Sequence, residues 1–414
     1  MHSKHTSTVV SRVGLGAYQA SLLSIVCLPF LVPFSDARNI DLQGLILILA
    51  GLTGIGAVML RKPRVLNSLS RLEQMLLGVF VASCMLSLLA NPHKGYDLLG
   101  APYIRLGAAG LVACVACGLA LRNISSKRLM QYLYLIIGVS AILSIPYNML
   151  RLHTLVRIGG VFAQADIFAV FLGCGLLLGL AMWTMYPRWR PPLLIMQLVL
   201  LGLLLLTETR AVLFLVIILY GYMFWQNHKQ TGWSWWQWLA CIIGALLVLI
   251  GAKILLPVRV TSGAYADQSI RYRLVLQAEA LRPAAQKPLF GYGPGNLADA
   301  LACNKLLTTD LQQTCHKGYF FNSSHNIFLD RILAIGWLGG LAFLALVLIE
   351  LRAGLWSSAD SRVLAYCTLL IAGYYLSNVT DITLELLLWI LLLHRATRRN
   401  NKYSVMDVVE EVRA

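Results

Sequence analysis

Charged side chains are scarce in this sequence. Asp, Glu, Lys and Arg make up 13% of its 414 residues, whereas they account for about a quarter of a typical soluble protein. Hydrophobic residues make up 58% of the chain, which is more than a soluble fold of this length can bury. The composition therefore excludes a soluble globular protein and predicts a polytopic membrane protein.

Acidic residues are the scarcer of the two charged classes. The chain has 18 Asp and Glu against 34 Lys and Arg, which gives a formal net charge of +16. No basic stripe with interleaved aromatic residues is present, so the charge does not indicate a nucleic acid partner. We expect it to reflect membrane topology and contact with anionic lipid headgroups.

Long apolar runs dominate the sequence instead. A membrane-spanning helix needs about 17 to 25 mostly apolar residues. The runs predict an all-α fold with about twelve transmembrane helices and one large outer loop containing short helices. The first run lacks a credible signal-peptide cleavage site, so we expect it to be retained. The predicted spans are Val13–Phe34, Ile40–Leu60, Met75–Leu89, Leu106–Leu121, Leu129–Leu150, Ala165–Trp183, Leu193–Leu206, Ala211–Trp225, Leu239–Leu256, Ile332–Ile349, Val363–Leu376 and Ile382–Leu393.

Lys and Arg lie mainly in alternate connections between these spans, which predicts that both termini are cytoplasmic. The segments assigned to the cytoplasmic side carry Arg61, Lys62, Arg64, Arg71, Arg122, Lys127, Arg128, Arg188, Arg190, Lys229, Arg352, Arg362, Arg395, Arg398, Arg399 and Lys402. The short outer loops carry Arg38, Lys94, Arg105, Arg151, Arg157 and Arg210. An even number of spans agrees with this distribution.

A long polar interruption divides the chain into three parts. Residues 1–256 contain the first nine spans, residues 257–331 form the large outer loop, and residues 332–414 contain the last three spans and a cytoplasmic tail. Long loops of this kind are usually functional. We therefore expect active-site elements in the loop.

The outer loop contains a predicted amphipathic helix followed by a turn. Ile270, Leu274, Ala278 and Leu281 recur at helical spacing, so we expect a helix that lies on the membrane or on other spans. The stretch "KPLFGYGPGN" comes next. No strand precedes it, which argues against a dinucleotide-binding loop. We interpret it as a Gly/Pro turn that folds the loop back over the helices.

Two cysteines lie outside the predicted spans, and both are in the outer loop. In an oxidising compartment such as a bacterial periplasm, we expect Cys303 and Cys315 to form a disulfide, with two free thiols as the alternative. A zinc site with His316 is less favoured, because only three ligands lie close together and no CxxC spacing exists. The outer loops also lack an Asp-x-Asp-like pair, so we infer no metal ion and no cofactor.

Several arginines lie on the outer side, where topology disfavours them: Arg157, Arg210, Arg271 and Arg273. A lone arginine at a helix end is often a snorkelling residue. Arg210 is harder to explain in this way, because it stands in a very short break between two spans. Its guanidinium then needs an anionic partner, which is either Glu208 or a phosphate, a group that arginine binds in a bidentate manner.

The segment "NSSHNIFLDRILAIGWLGG" resembles the signature of the O-antigen ligase and bacterial O-oligosaccharyltransferase superfamily, in which a His-Asn pair ends the large periplasmic loop. "RIGGVFAQAD", "TETRAVLFL" and "RYRLVLQAEALRPAAQKPLFGYGPGN" are similar to further family segments and occur in the family's order. The resemblance covers roughly residues 157 to 393. Two positions depart from the family pattern: Gln277 stands where a tryptophan is frequent, and residues 164–166 replace a frequent asparagine.

The resemblance implies a metal-independent glycosyltransferase of lipopolysaccharide biosynthesis in the bacterial inner membrane. The donor would be O-antigen polysaccharide on undecaprenyl diphosphate, and the acceptor a sugar hydroxyl of lipid A–core. His325 would be the general base, oriented by Asn326 or Ser324. Arginines would neutralise the leaving diphosphate; of Arg271 and Arg273, only one should face the site, and the family pattern favours Arg273.

Other functions stay open at this point. A protein O-oligosaccharyltransferase and an O-antigen repeat polymerase share the resemblance. A polysaccharide or lipid transporter would also have many spans and buried arginines, but it predicts internal repeats and charges near the middle of the membrane, and neither was found. A structural or receptor protein would leave the polar cluster at His325 unexplained, unless His325 is an ordinary interfacial residue at the end of a span.

Overall fold

The computed structural model describes residues 46–56, 69–92, 94–99, 107–122, 124–152, 165–231, 263–302, 323–356, 359–376 and 382–395. Within these ranges all regular secondary structure is helical, as the all-α prediction requires. The α-helices are α1 (Ile46–Gly56), α2 (Arg71–Ala90), α3 (Lys94–Leu99), α4 (Ala108–Leu121), α5 (Ser126–Leu152), α6 (Ala165–Met185), α7 (Arg190–Leu206), α8 (Arg210–Thr231), α9 (Gly263–Gln286), α10 (Leu297–Ala300), α11 (Ile327–Leu355), α12 (Ala359–Tyr375) and α13 (Ile382–Arg395). A short 3₁₀ helix, Pro187–Trp189, precedes α7.

The predicted spans correspond closely to these helices. Each predicted span from Met75–Leu89 to Ala211–Trp225, and each of the last three, coincides largely with one helix. Among the described residues, five helical stretches are long and apolar enough to cross a membrane: Arg71–Ala90, Ser126–Pro146, Ala165–Met185, Pro187–Leu206 and Ile327–Leu355. Val13–Phe34 and Leu239–Leu256 lie outside the described residues, and Ile40–Leu60 falls on them only in part. The total of twelve therefore stays a prediction.

The helices pack closely around an aromatic cluster. The ring of Phe80 on α2 lies 5.0 Å from that of Trp389 on α13 and 5.8 Å from that of Phe343 on α11. Gly118 of α4 lets α13 approach, since a Cβ there would lie 2.6 Å from the carbonyl oxygen of Trp389. Small residues at such crossings are typical of membrane helices, whose association depends on van der Waals contact. The cluster ties α2, α4, α11 and α13 into one core.

Helix α9 contacts the bundle through a different face from the predicted stripe. Leu276, Ala280 and Ala284 are buried, whereas Leu274 and Leu281 are 60% and 50% exposed. The predicted apolar stripe therefore does not pack on other spans. An exposed apolar stripe suits a lipid surface, so contact of this stripe with the membrane stays the prediction.

Helix α11 is broken at Gly336, where the backbone adopts φ 82° and ψ 170°. In a continuous helix the Trp337 N–H would donate to the Leu333 carbonyl. Here the Trp337 N–H donates to the Pro288 carbonyl at 2.9 Å, and the Leu333 carbonyl accepts from the Tyr292 N–H at 2.7 Å. The 288–293 turn therefore enters the break and takes over hydrogen bonds that the helix has lost.

Two further donors complete this exchange. The Ala334 carbonyl, also deprived of its helical partner, accepts from the Gly293 N–H at 3.0 Å and from Ser87 Oγ of α2 at 2.8 Å. The approach is so close that a side chain at Gly336 would collide with the Leu289 carbonyl. The sequence predicted a turn that folds the loop back over the helices, and the structure shows where it docks.

Candidate active site

His325 lies immediately before α11 and is half-buried. Its φ of 59° places it in the left-handed region, which residues other than glycine seldom adopt. Among the described residues, only Glu208 shares this property. Such strained positions persist only where the surrounding structure holds them, and they concentrate at functional sites.

A buried carboxylate holds the turn formed by residues 323–326, here called the His325 turn. Asp330, in the first turn of α11, is fully buried and accepts from Ser323 Oγ at 2.6 Å. It also accepts from the backbone N–H and the hydroxyl of Ser324, both at 2.7 Å. The His325 N–H in turn donates to Ser323 Oγ at 3.0 Å. A chain of hydrogen bonds therefore runs from the Asp330 carboxylate to the backbone of His325.

Asn326 and Ser324, the two predicted supporting residues, both act on the backbone of this turn. The Asn326 side-chain oxygen accepts from the N–H groups of Phe328 and Leu329, at 3.0 and 3.2 Å, and so caps the N-terminus of α11. Ser324 Oγ bonds to Asp330 and to the Asn326 carbonyl. They fix the backbone position of His325, and none of these hydrogen bonds reaches its imidazole.

A buried ion pair lies next to this turn. Arg331 Nη2 is 2.7 Å from Glu385 Oε1 of α13, and the two side chains are 3% and 0% exposed. Trp389 Nε1 donates to the same carboxylate oxygen at 3.0 Å. Buried charges inside membrane helices require such partners. The pair joins the start of α11 to α13 and neutralises both charges locally.

The imidazole of His325 faces α9, the helix that carries Arg273. Its Nδ1 is buried and makes no hydrogen bond with the part of the chain that the structure describes. Burial and, as a smaller contribution, the positive charge of Arg273 on α9 together lower the pKa of His325 from 6.5 to about 4. The imidazole is therefore neutral at pH 7, and it can accept a proton.

Of the two arginines on α9 that were predicted to bind the diphosphate, Arg273 is half-buried and its charge acts on His325. Arg271 is exposed. Two positions apart on a helix, the side chains point in different directions. The structure brings Arg273 close to His325, and it does not bring Arg271 close to His325.

Arg210 is the first residue of α8, where the chain turns back from α7. It is exposed, and so is Glu208. A place for its guanidinium at or below the membrane surface, and a phosphate as its partner, stay predictions. The turn itself is fixed, because Thr209 Oγ1 donates to Asp166 Oδ1 of α6 at 2.9 Å. Asp166 lies in the segment that departs from the family pattern.

Arg210 lies at the same end of the bundle as His325. Helices α6 and α12 run antiparallel, because Cys174 contacts Cys367 while Gly173 lies against Leu370. The start of α6, which holds the Arg210 turn, is therefore beside the end of α12 at Leu376. Leu376 is linked to His325 through the side chain of Gln277. We call this end of the bundle the site end.

Three predicted residues, Arg157, Cys303 and Cys315, lie outside the described residues. The roles given to them, in diphosphate binding and in a disulfide, stay predictions.

Several polar residues that build the site were given no role from the sequence, although Asp330 and Arg331 were noted as a pair that follows His325 and Asn326. A signal for them exists in the sequence, because charged residues inside apolar runs are costly and usually functional. Asp330, Arg331 and Glu385 are such residues. Glu385 lies in "LELLLWILLLH", and no role was predicted for it. Gln277 was noted only as a departure from the family pattern.

Residues 195–344 match the model of a known protein family, which is described as O-antigen ligase. The matched segment contains α8, α9 and the His325 turn, and the resemblance found in the sequence is confirmed for it. No curated protein sequence matches the chain. The family and the apolar helices together indicate a membrane enzyme of glycosyl transfer that acts on polysaccharide and lipid.

Proposed function

We propose that this relative of the O-antigen ligases transfers O-antigen polysaccharide from undecaprenyl diphosphate to a sugar hydroxyl of lipid A–core, at the periplasmic face of the bacterial inner membrane. The observation that supports this most directly is the pairing of His325 with Arg273 at one end of a bundle of apolar helices. A neutral base beside a cation suits a reaction that deprotonates an alcohol and releases a diphosphate.

The acceptor half of the reaction needs a base. The acceptor hydroxyl oxygen attacks the anomeric carbon of the donor sugar, and its proton passes to the neutral imidazole of His325. Losing such a general base typically costs about a hundred- to ten-thousand-fold in rate. Nδ1 has no partner in the described residues, so no carboxylate among them fixes the tautomer of this ring through Nδ1.

The donor half of the reaction needs a positive charge. The bond between the anomeric carbon and the diphosphate oxygen breaks, and the diphosphate leaves with the electron pair. Arg273 is placed to neutralise this group, and Arg210 lies exposed at the same end of the bundle. Arginine binds phosphate in a bidentate manner, which a point charge such as lysine cannot do. Arg157 joins this set in the proposal.

Arg273 couples the acceptor half of the reaction to the donor half. While Arg273 is unoccupied, its charge disfavours protonation of His325. A bound diphosphate cancels that charge, and the pKa of His325 then rises. His325 therefore becomes a stronger base only after the donor has bound.

Reconstitution of the purified protein tests the proposal. The protein is mixed with glycan-linked undecaprenyl diphosphate and lipid A–core, without nucleotide and with a metal chelator, and the joined product is separated on a gel. We expect product with the wild type and almost none with His325→Ala at equal amounts of folded protein.

Two substitute acceptors make the experiment more specific. With a peptide as the acceptor, formation of glycosylated peptide instead of glycosylated lipid A–core would reassign the chain as a protein O-oligosaccharyltransferase. With a second lipid-linked glycan as the acceptor, formation of a lengthened lipid-linked glycan would reassign it as a repeat polymerase. Full transfer by His325→Ala, or a strict need for a divalent cation, would contradict the mechanism.

A further inference from the structure

Helix α9 presents two side chains to His325 from consecutive turns. Arg273 and Gln277 are four residues apart, so they lie on the same face of the helix. Arg273 acts on the imidazole, and Gln277 Nε2 donates to the backbone carbonyl of His325 at 3.2 Å. One helix therefore contacts both the reactive part and the backbone of the proposed base.

The backbone of His325 is held at both of its polar groups. Its N–H donates to Ser323 Oγ at 3.0 Å, and its carbonyl accepts from Gln277. The backbone of a non-glycine residue in the left-handed region relaxes toward ordinary φ values unless such contacts oppose it. Ser323 belongs to the His325 turn itself. Gln277 links the backbone of His325 to α9, the helix that carries Arg273.

Gln277 also holds a third element. Its Nε2 donates to the carbonyl of Leu376, at the end of α12, at 3.2 Å. The last carbonyls of a helix have no partner within the helix, and Gln277 supplies one. Both amide hydrogens are thus engaged with backbone oxygens, and the side chain is confined between α9, α12 and the His325 turn.

We propose that Gln277 is a positioning residue, which fixes the place of His325 relative to Arg273 and so sets the distance between the base and the leaving group. The proposal rests on the proposed function in so far as His325 is the base. A displacement of about 1 Å between reacting groups can cost about a hundredfold in rate. An amide that holds both groups to one helix therefore affects catalysis without touching a substrate.

Two variants on α9 test the proposal. Gln277→Met keeps the length of the side chain and removes its donors, and Gln286→Met makes the same change at the exposed end of the helix, where Gln286 accepts from Tyr292. The amount and thermal stability of folded protein in detergent are measured first. Rates are then compared per folded molecule.

The first readout is independent of any assumed substrate. Purified protein is treated with diethyl pyrocarbonate, and carbethoxylation of His325 is followed by mass spectrometry of its peptide. We expect modification to become about fivefold faster in Gln277→Met, the change that corresponds to one lost hydrogen bond, and to stay unchanged in Gln286→Met. An unchanged rate in Gln277→Met overturns the proposal.

The second readout is the transfer assay. We expect kcat of Gln277→Met to fall by about tenfold to a hundredfold, with the KM for the donor within about twofold of wild type, because Arg273 remains. A rise in donor KM with kcat unchanged overturns the proposal, since Gln277 would then serve donor binding. Faster modification of His325 with normal kcat and KM shows that Gln277 holds His325, and it overturns the assignment of His325 as the base.

Discussion

The protein holds two irregular segments against α11 by different means. The His325 turn is held by side chains, namely those of Ser323, Ser324, Gln277 and Asp330. The break at Gly336 is held mainly by backbone groups of the 288–293 turn, with Ser87 as one side-chain donor. A turn held by side chains can be retuned by single substitutions without loss of the fold. A break held by backbone depends on one glycine, and changes there act on the fold itself.

Gly336→Ala is expected to have the largest effect. Alanine disfavours φ 82°, and its Cβ would meet the carbonyl of Leu289, so we expect a loss of about 2 to 4 kcal/mol in stability. Thermal unfolding in detergent measures it. The control is Gly78→Ala on the exposed face of α2, where nothing lies within 4 Å of the new Cβ. It should be neutral or stabilise by up to about 1 kcal/mol. Equal unfolding curves for the two variants would remove the distinction between the segments.

The substitution Asp330→Asn weakens the hydrogen bonds that hold the His325 turn. The carboxamide keeps the shape of Asp330 but replaces one acceptor oxygen with a donor, which faces the donors of Ser323 and Ser324. We expect kcat to fall by about tenfold, with little change in donor KM, because a charge-assisted hydrogen bond is lost. Asp299→Asn, exposed on α10, should leave kcat unchanged. If Asp330→Asn raises donor KM and spares kcat, the His325 turn does not set the position of the base.

Arg210→Lys extends the comparison to the turn that Thr209 and Asp166 hold together. Lysine keeps the charge but loses the planar fork that binds phosphate, so we expect the donor KM to rise by about tenfold, the order of one charge-assisted hydrogen bond. Arg282→Ala on α9, exposed and given no role, should be nearly silent. Steady-state kinetics at constant ionic strength distinguish them. A normal Arg210→Lys together with a defective Arg282→Ala would show that the wrong arginine was chosen.

The pH profile gives the smallest expected effect. His325 has a pKa of about 4 in the free enzyme, lowered by burial and by Arg273. Its neutral form therefore persists as the pH falls below 6.5, and the acid limb of kcat/KM should lie near pH 4. Once a diphosphate cancels the charge of Arg273, the pKa rises, and the limb of kcat should lie higher by about one unit. Coincident limbs would mean that the diphosphate does not bind beside Arg273.

The sequence predicted the helices well and their interruptions poorly. Apolar runs such as Ala165–Trp183 and Leu193–Leu206 reappear as α6 and α7 because burial in lipid leaves the backbone no alternative to a helix. The break at Gly336 could not be predicted in this way, since glycine is frequent in membrane helices that are not broken. Its conformation depends on the 288–293 turn, which lies far from it in the sequence.

The candidate site shows the same division. His325 and Arg273 were predicted from short motifs, because their chemistry is carried by residue type and order. Gln277 was set aside as a departure from the family pattern, since a hydrogen bond to a backbone carbonyl leaves no trace in local sequence. The exposed stripe of Leu274 and Leu281 was predicted from its spacing, but spacing alone could not distinguish a lipid surface from a protein one.

The exchange of hydrogen bonds at Gly336 also bears on how the protein is assembled. Free backbone groups in an apolar environment cost several kcal/mol each, so α11 cannot settle in its broken form before the 288–293 turn is in place. The ribosome makes this turn first, and the newly inserted α11 therefore closes onto a partner that is already present. The later helix α11 therefore completes the packing of the segment 263–302 in the bundle. Exchanging this segment between related enzymes requires that α11 be exchanged with it.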